Sequence, residues 1–296
     1  MSRDLTADRF ATLTFERKVA APVATLYAAW TSPAARAVWA APSPEVTVEI
    51  LESDARVGGR EVSLCKVAGQ PDIRVEAGWL ELVSDARSVS YEVVSQDGER
   101  KSAALVTADF NGEGEQSRIA VTVQLASLAE DMAEGYRQGF TAGVANLGAV
   151  AERTILFHRV IKAPVPVVWG AWMNAESLPK WWGPEGFSCR TSRIDLREGG
   201  EWVFDMIAPD GTVFPNHHKY RAVIPEARLD YTLHWGENGP KHADAWASFD
   251  DLDGSTRVTL GMVMATAQEY HDAKGFGAVE LGLQTLGKLA RIVGAE

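Results

Sequence analysis

Between Glu45 and Leu125 apolar and polar residues alternate in short runs: VTVEIL, REVSLCKVA, IRVEAGWLELV, SVSYEVVS, SAALVTADF and SRIAVTVQL. A period of two is the mark of a β-strand with one face buried. Turn residues part the runs, at Asp54 and Gly58-Gly59, Gly69 to Asp72, Ser84-Asp85, Asp97-Gly98 and Asn111 to Gly114. Gly and Asp supply the positive φ angles of tight hairpins, so successive strands are expected to pair antiparallel. An earlier run, Thr12 to Ala20, makes a seventh strand. Pro22 is then well placed to open a helix whose Val23, Leu26, Tyr27 and Trp30 form one apolar stripe. Thr31-Ser32-Pro33 stops it, and a second short helix is expected from Pro33 to Trp39. From Ala129 to Glu152 the spacing predicts a long helix with Met132, Tyr136, Phe140, Val144, Leu147 and Val150 on one side.

The same order then recurs. FERKVAAPVATLYAAWTSPAARAVW, from Phe15, is echoed by FHRVIKAPVPVVWGAWMNAESLPKWW, from Phe157, with Phe, Arg, Ala, Pro and two Trp positions matched at a constant offset of 142 residues. A period of that size is a whole globular domain rather than a solenoid or propeller unit. The chain therefore reads as a tandem duplication, residues 1–152 and 153–296, with almost no linker. In the second copy ILFHRVI is the first strand, Val165 to Met173 and Ala175 to Trp182 are the short helices, and FSCRTSRI, EWVFDMI, VFPNHHKYRAVI, LDYTLHW, DAWASFD and TRVTLGMVM are the remaining strands. Phe276, Val279, Leu283, Leu286, Ala290 and Val293 form the apolar seam of the closing helix. Each copy is expected to be α+β: a curved seven-stranded antiparallel sheet wrapped on a long C-terminal helix, with two short helices plugging one end. The long helices hold Gly135, Gly139, Gly143 and Gly148, and Gly275, Gly277, Gly282 and Gly287. Each costs about 1 kcal/mol against Ala in a helix interior, so they serve either close helix-to-sheet packing or room for a ligand.

A chain of 296 residues, 46% hydrophobic and 23% charged, has the composition of soluble globular protein and room for two cores. Charge sums to −8 over residues 1–152 and −3 over the rest, so no nucleic-acid or anionic-membrane partner is expected, since these select basic patches. Cys65 and Cys189 do not occupy equivalent places in the repeat, and two lone thiols fit a reducing compartment. MSRDLTADRF lacks the apolar core of a signal peptide, and no run approaches the roughly 20 residues of a membrane span. A cytoplasmic protein is expected.

The strand ending in Ala-Pro, the helix bearing Trp172, the box Lys180-Trp181-Trp182-Gly183-Pro184-Glu185-Gly186-Phe187 and the later Arg197-Glu198-Gly199-Gly200 resemble the SRPBCC superfamily. They are most similar to its branch related to the C-terminal domain of the heat-shock-protein-90 ATPase activator. The resemblance implies the START-like helix-grip fold, whose gap between helix and sheet is a natural pocket, and it raises a chaperone as a possible partner. The first copy departs from the pattern: it has Trp39-Ala40-Ala41 where the second has Trp181-Trp182-Gly183, and no Phe-containing box. It keeps Gly58-Gly59 against Gly199-Gly200 and Ala86-Arg87 against Ala227-Arg228. All six histidines and seven of the ten tryptophans fall in the second copy. The second is therefore expected to bind the ligand, and the first to have a degenerate pocket and a structural or dimer-like role, with a homodimer partner left open.

No phosphate loop, GxSxG, HExxH or CxxC is present. His217-His218, with His234 and His242 downstream, do not make a metal site, because neighbours in a strand point to opposite faces. Neither metal nor cofactor is expected, and Asp250-Asp251-Asp253 lacks the full spacing of a calcium loop. In EWVFDMI, Trp202, Phe204 and Met206 share one face. The candidate pocket residues are Trp172, Trp181, Trp182, Phe187, Trp202, Phe204, His218, His234, Trp235, Trp246 and Phe276, with Asp205 or Asp244 as further polar groups. Flat rings around a concave sheet suit a small hydrophobic or aromatic molecule. Two alternatives stand beside that reading: an enzyme of the cyclase, dehydratase or hydrolase kind using the same pocket, and a chaperone-associated regulatory module.

Overall fold

The computed structural model describes residues 9–295, so most of the N-terminal segment read above for a signal peptide lies outside the described residues. The chain divides into two compact units, Met1–Glu152 and Arg153–Glu296. In the first, β1 (Phe10–Val19), α1 (Val23–Thr31) and α2 (Pro33–Trp39) precede β2 (Val46–Ser53), β3 (Arg60–Val67), β4 (Ile73–Val83), β5 (Arg87–Gln96), β6 (Glu99–Glu113) and β7 (Gln116–Ser127), and α3 (Met132–Ala151) closes the unit. The sheet order is β1-β7-β6-β5-β4-β3-β2, antiparallel throughout. Only the contact of β1 with β7 is long in sequence; every other pair is a hairpin.

Alternation does what it predicts. In β7 the residues Ile119, Val121, Val123 and Leu125 are buried while those between them meet solvent or the outer face. Each such side chain contributes about 1.5–3 kcal/mol by leaving water. α3 lies along β1 and the adjoining part of β7, with α1 over β6 and β7, and its Tyr136, Val144, Leu147 and Val150 are buried against the sheet.

The second unit repeats the order. β8 (Thr154–Ile161), α4 (Val165–Trp172) and α5 (Leu178–Trp181) are followed by β9 (Ser188–Ile194), β10 (Glu201–Ile207), β11 (Val213–Ile224), β12 (Arg228–His234), β13 (Lys241–Asp251) and β14 (Thr256–Met264). Its sheet order, β8-β14-β13-β12-β11-β10-β9, matches the first. The closing helix differs from the single one expected. It is broken into α6 (Ala267–Gly275) and α7 (Ala278–Ile292). Gly277 sits at φ 83°, a left-handed conformation that only glycine adopts without strain, so the chain turns there and restarts. A capping box formed by Thr266 and Glu269 opens α6.

Small repeated bonds show why the duplicated motif persists. Trp39 Nε1 donates to the carbonyl of Ala29 at 2.8 Å, and Trp181 Nε1 donates to that of Ala171 at 3.2 Å. Each ties the second short helix to the first. Gly58 and Gly199 both have positive φ, and a Cβ on Gly59 or Gly200 would collide with the backbone carbonyl of Asp54 or Asp195. The Gly-Gly pairs are thus required by a turn whose amides bond Trp79 and Tyr220 of the next strands.

The helix glycines are not alike. A Cβ on Gly282 would overlap the ring of Phe157, and one on Gly148 the guanidinium of Arg17, whereas Gly135, Gly139 and Gly275 face open space. Gly282→Ala should therefore cost roughly 1–3 kcal/mol by overpacking. Urea unfolding of the full chain checks this, with Gly275→Ala, where a methyl meets nothing, as the control.

Candidate functional site

The concave face of the second sheet is built by the register of three strands. Trp202 on β10 stands opposite His218 on β11, with Phe204 two residues further along β10 on the same face, and His218 and Tyr220 stand opposite Leu233 and Tyr231 on β12. Trp202 and Phe204 stack at 3.7 Å, the closest ring pair of this wall. The short helices add Trp172, Trp181 and Trp182, whose rings meet one another at 5.0–5.6 Å. Trp182 joins the two groups, 5.8 Å from Trp202 and 5.4 Å from His218. Trp202 donates its Nε1 proton to Thr191 Oγ1 at 3.0 Å, which leaves no unpaired indole N–H on that ring.

His218 is the polar group in this wall. It is 3% exposed and enclosed by Trp182, Trp202, Phe204 and Tyr231, with ring centroids 5.1–5.5 Å away. Among the described residues its ring makes no hydrogen bond. Burial first, then the neighbouring imidazoles of His242 and His217, push its pKa down to about 3. The ring is neutral at physiological pH and presents one donor and one acceptor. Burial also raises the phenols of Tyr220 and Tyr231, which remain protonated.

The box Lys180–Phe187 is held against α7 by contacts that the sequence reading missed. Lys288 Nζ donates toward the carbonyls of Trp182, Pro184 and Phe187 at 3.5, 3.4 and 3.2 Å. Gln284 Oε1 accepts from the Glu185 amide at 3.1 Å, and Arg291 pairs with the Glu185 carboxylate. These residues lie about 100 positions after the box, so no local pattern could pair them. Phe187 itself is half-buried and tilted against Phe214, 6.3 Å away.

Four expected pocket residues stand elsewhere. Trp246 lies on the other face of β13: it is opposite Gly261, whose missing side chain makes room for its indole, and Arg228 covers it at 5.5 Å. Ala245 and Ala247, not Trp246, face the core, because the strand period puts neighbours on opposite sides. His234 shares that outer face and is hydrogen-bonded to Thr232 at 3.0 Å. Trp235 is 47% exposed and stacks on His242 at 4.1 Å, and Phe276 is 63% exposed at the break between α6 and α7. Asp205 and Asp244 are also outward, paired with Arg190 and with Arg221 and Lys241. His217 donates to Glu201 at 2.6 Å on the face opposite His218. Among the described residues no three His, Cys, Asp or Glu side chains converge on a point that could hold a metal ion, and no helix is long and apolar enough to cross a membrane.

The family described as "Activator of Hsp90 ATPase homolog 1-like protein" matches the chain twice, over residues 20–152 and 162–294. The chain belongs to this family. Each match to the Activator of Hsp90 ATPase homolog 1-like family spans most of one unit, and the helix-grip architecture is that of a ligand-binding superfamily. Solved structures similar to it include a protein from Rhizobium leguminosarum, 29% identical over 49% of this chain and 95% of its own, TM-score 0.44. Another, from Nitrosomonas europaea, is 28% identical over 49% of this chain and 96% of its own, TM-score 0.44. A third, from Mycobacterium smegmatis, is 22% identical over 49% and 93%, TM-score 0.45. No curated protein matches the chain.

Proposed function

We propose that the second unit binds a small apolar or aromatic molecule between the concave face of β10–β12 and the helices α4, α5 and α7. The supporting observation is His218: a buried, neutral imidazole with no protein partner, set in a wall of rings that offers area but little directional contact. Half-buried apolar side chains packed on that core, among them Trp182, Met206, Val279 and Leu283, supply the surface on which a ligand would be desolvated. A site of mostly apolar lining with one orienting polar group suits recognition of flat molecules carrying a single hydroxyl or carbonyl.

The test is titration of the full chain with indole, 2-naphthol and naphthalene. Trp182 and Trp202 report through their fluorescence, and a ligand bound to the native state raises Tm. The expected result is saturable quenching by all three probes. His218→Leu should weaken 2-naphthol about tenfold, as one lost hydrogen bond implies, and leave naphthalene within about twofold. Absence of both quenching and a Tm shift would remove this reading.

A further inference from the structure

The concave face of the first unit carries ionisable and hydroxyl groups where the second carries rings. Taking Gly58-Gly59 against Gly199-Gly200, Glu61, Ser63 and Cys65 of β3 stand where β10 has Trp202, Phe204 and Met206. Taking Ala86-Arg87 against Ala227-Arg228, Ser90 and Glu92 of β5 stand where β12 has Tyr231 and Leu233. In the first sheet Glu61 is opposite Ala77, and Ala77 is opposite Glu92. The two carboxyls thus share one row about 10 Å apart, from two strand spacings, with only a methyl between them.

One of these carboxyls is already matched. Arg36, from α2, pairs with Glu61 at 2.8 Å, donates to the Trp30 carbonyl at 3.0 Å, and lies over the rings of Trp30, Trp39 and Trp79 at 5.2–5.6 Å. Ser53 also donates to Glu61. Glu92 is different. Among the described residues it has no ion pair; its neutral partner is the hydroxyl of Tyr136, from α3, which is also 3.3 Å from Ser102 Oγ. Ser63 and Ser90, each nine-tenths buried on the same face, add hydroxyls that are not wholly closed off, and Ser127 Oγ at the far end of β7 is buried with no partner among the described residues. Buried polar groups left in this state are either a cost to the fold or a waiting contact.

We propose that the first unit binds a small organic amine beneath α3, its ammonium held by the Glu92 carboxylate, the Tyr136 hydroxyl and the Ser90 hydroxyl, with its apolar body over Ala77, Ala104 and Val94. The charges around Glu92 count in its favour: Arg36 is taken up by Glu61, and the other cation under α3, Arg17, lies against Gly148 twelve residues along the helix from Tyr136, so an ionised Glu92 has no cation of its own. A cation restores neutrality, whereas a carboxylate ligand would add a second like charge in a low-dielectric site. The groups facing Glu92 are Arg36 from α2, Glu61 and Cys65 from β3, and Tyr136 from α3. Part of Glu92 still meets solvent, but the surroundings of its carboxyl are dense enough that burial holds its pKa above the ordinary 4.5. Binding of an ammonium at a pH near that raised value would release the carboxyl proton into solution.

The experiment is calorimetric titration of the full chain with benzylamine and with benzyl alcohol, its neutral counterpart, at pH 8 and pH 5. The expected result is that benzylamine binds at least tenfold more tightly than the alcohol at pH 8, and that its advantage shrinks at pH 5. Glu92→Gln should erase the difference between the two probes and Tyr136→Phe should reduce it several-fold. All of these titrations are also run in the His218→Leu background, which removes hydroxyl recognition in the second unit, so that a preference for the amine measured there belongs to the first unit. Glu92→Gln should also raise Tm, more at pH 8 than at pH 5. The native state, with the higher pKa, holds the proton more tightly than the unfolded chain, so wild-type stability falls as pH rises above the ordinary carboxyl value toward the native one. Equal binding of amine and alcohol, no amine binding up to millimolar concentration, or discrimination that survives Glu92→Gln would each overturn the proposal.

Discussion

Trp202→Ala should lower the stability of the protein by roughly 3–5 kcal/mol, the range for removing a fully buried aromatic ring from a core. The residue is 0% exposed. Its indole is stacked on Phe204, packed against Trp182 and His218, and hydrogen-bonded to Thr191. Deleting it strands the Thr191 hydroxyl and opens a cavity that Phe204 and His218 cannot fill, because they sit on strands paired on both sides. Urea unfolding followed by circular dichroism reads the shift in midpoint. Trp235→Ala, at a ring that is half in solvent, should change stability by less than about 1 kcal/mol. Similar effects from the two substitutions would mean that the aromatic wall is not packed as described.

The second large effect lies in the other unit. Glu61→Leu should cost roughly 3–5 kcal/mol, because it leaves the Arg36 guanidinium buried with no counter-charge. The side chains of Arg36 and Glu61 are only 15% and 6% exposed, so solvent cannot take over from the missing carboxylate. The copy in the second unit shows how the position is managed without charge: Leu178 and Trp202 occupy the equivalent places, both fully buried. Arg36→Leu combined with Glu61→Leu should accordingly recover much of the loss, and the four proteins of that double-mutant cycle give the coupling between the two residues. Strict additivity would show that the pair contributes nothing beyond its separate contacts.

Most of the fold was legible because its signals are local. The period-two runs Arg60–Val67 and Gln116–Ser127 became β3 and β7. The prolines at 22 and 164 stand at the N-caps of α1 and α4. The break at Gly277 was hidden by a seam from Phe276 to Val293 that holds its spacing of three and four straight through it; a left-handed residue alters the path of the backbone without disturbing which later residues are apolar.

The site was less legible. Trp172, Trp181, Trp182, Trp202, Phe204 and His218 do come together: alternation puts Trp202 and Phe204 on one face, the motif supplies the three other tryptophans, and the register of β10 on β11 adds His218. Trp246 was misplaced because a residue flanked by alanines reads as the larger half of an apolar strand, and only the register against Gly261 shows that it turns outward. The Lys288 clamp and the Arg36–Glu61–Glu92–Tyr136 cluster join elements far apart in the chain. Their one advance sign was available: Glu61, Ser63, Ser90 and Glu92 fall on the face that alternation assigns to the core, where polar groups are out of place.

By itself, then, the sequence determined the duplication, the order of elements and the antiparallel pairing, because each depends on the spacing of residues that are neighbours along the chain. The tertiary structure decided which face each ring and carboxyl occupies, which charges lie beneath a helix, and hence that the two units present chemically different concave faces. Burial and electrostatic interaction depend on distance in space, and on a sheet closed by a helix from the far end of each unit that distance has no counterpart in sequence separation.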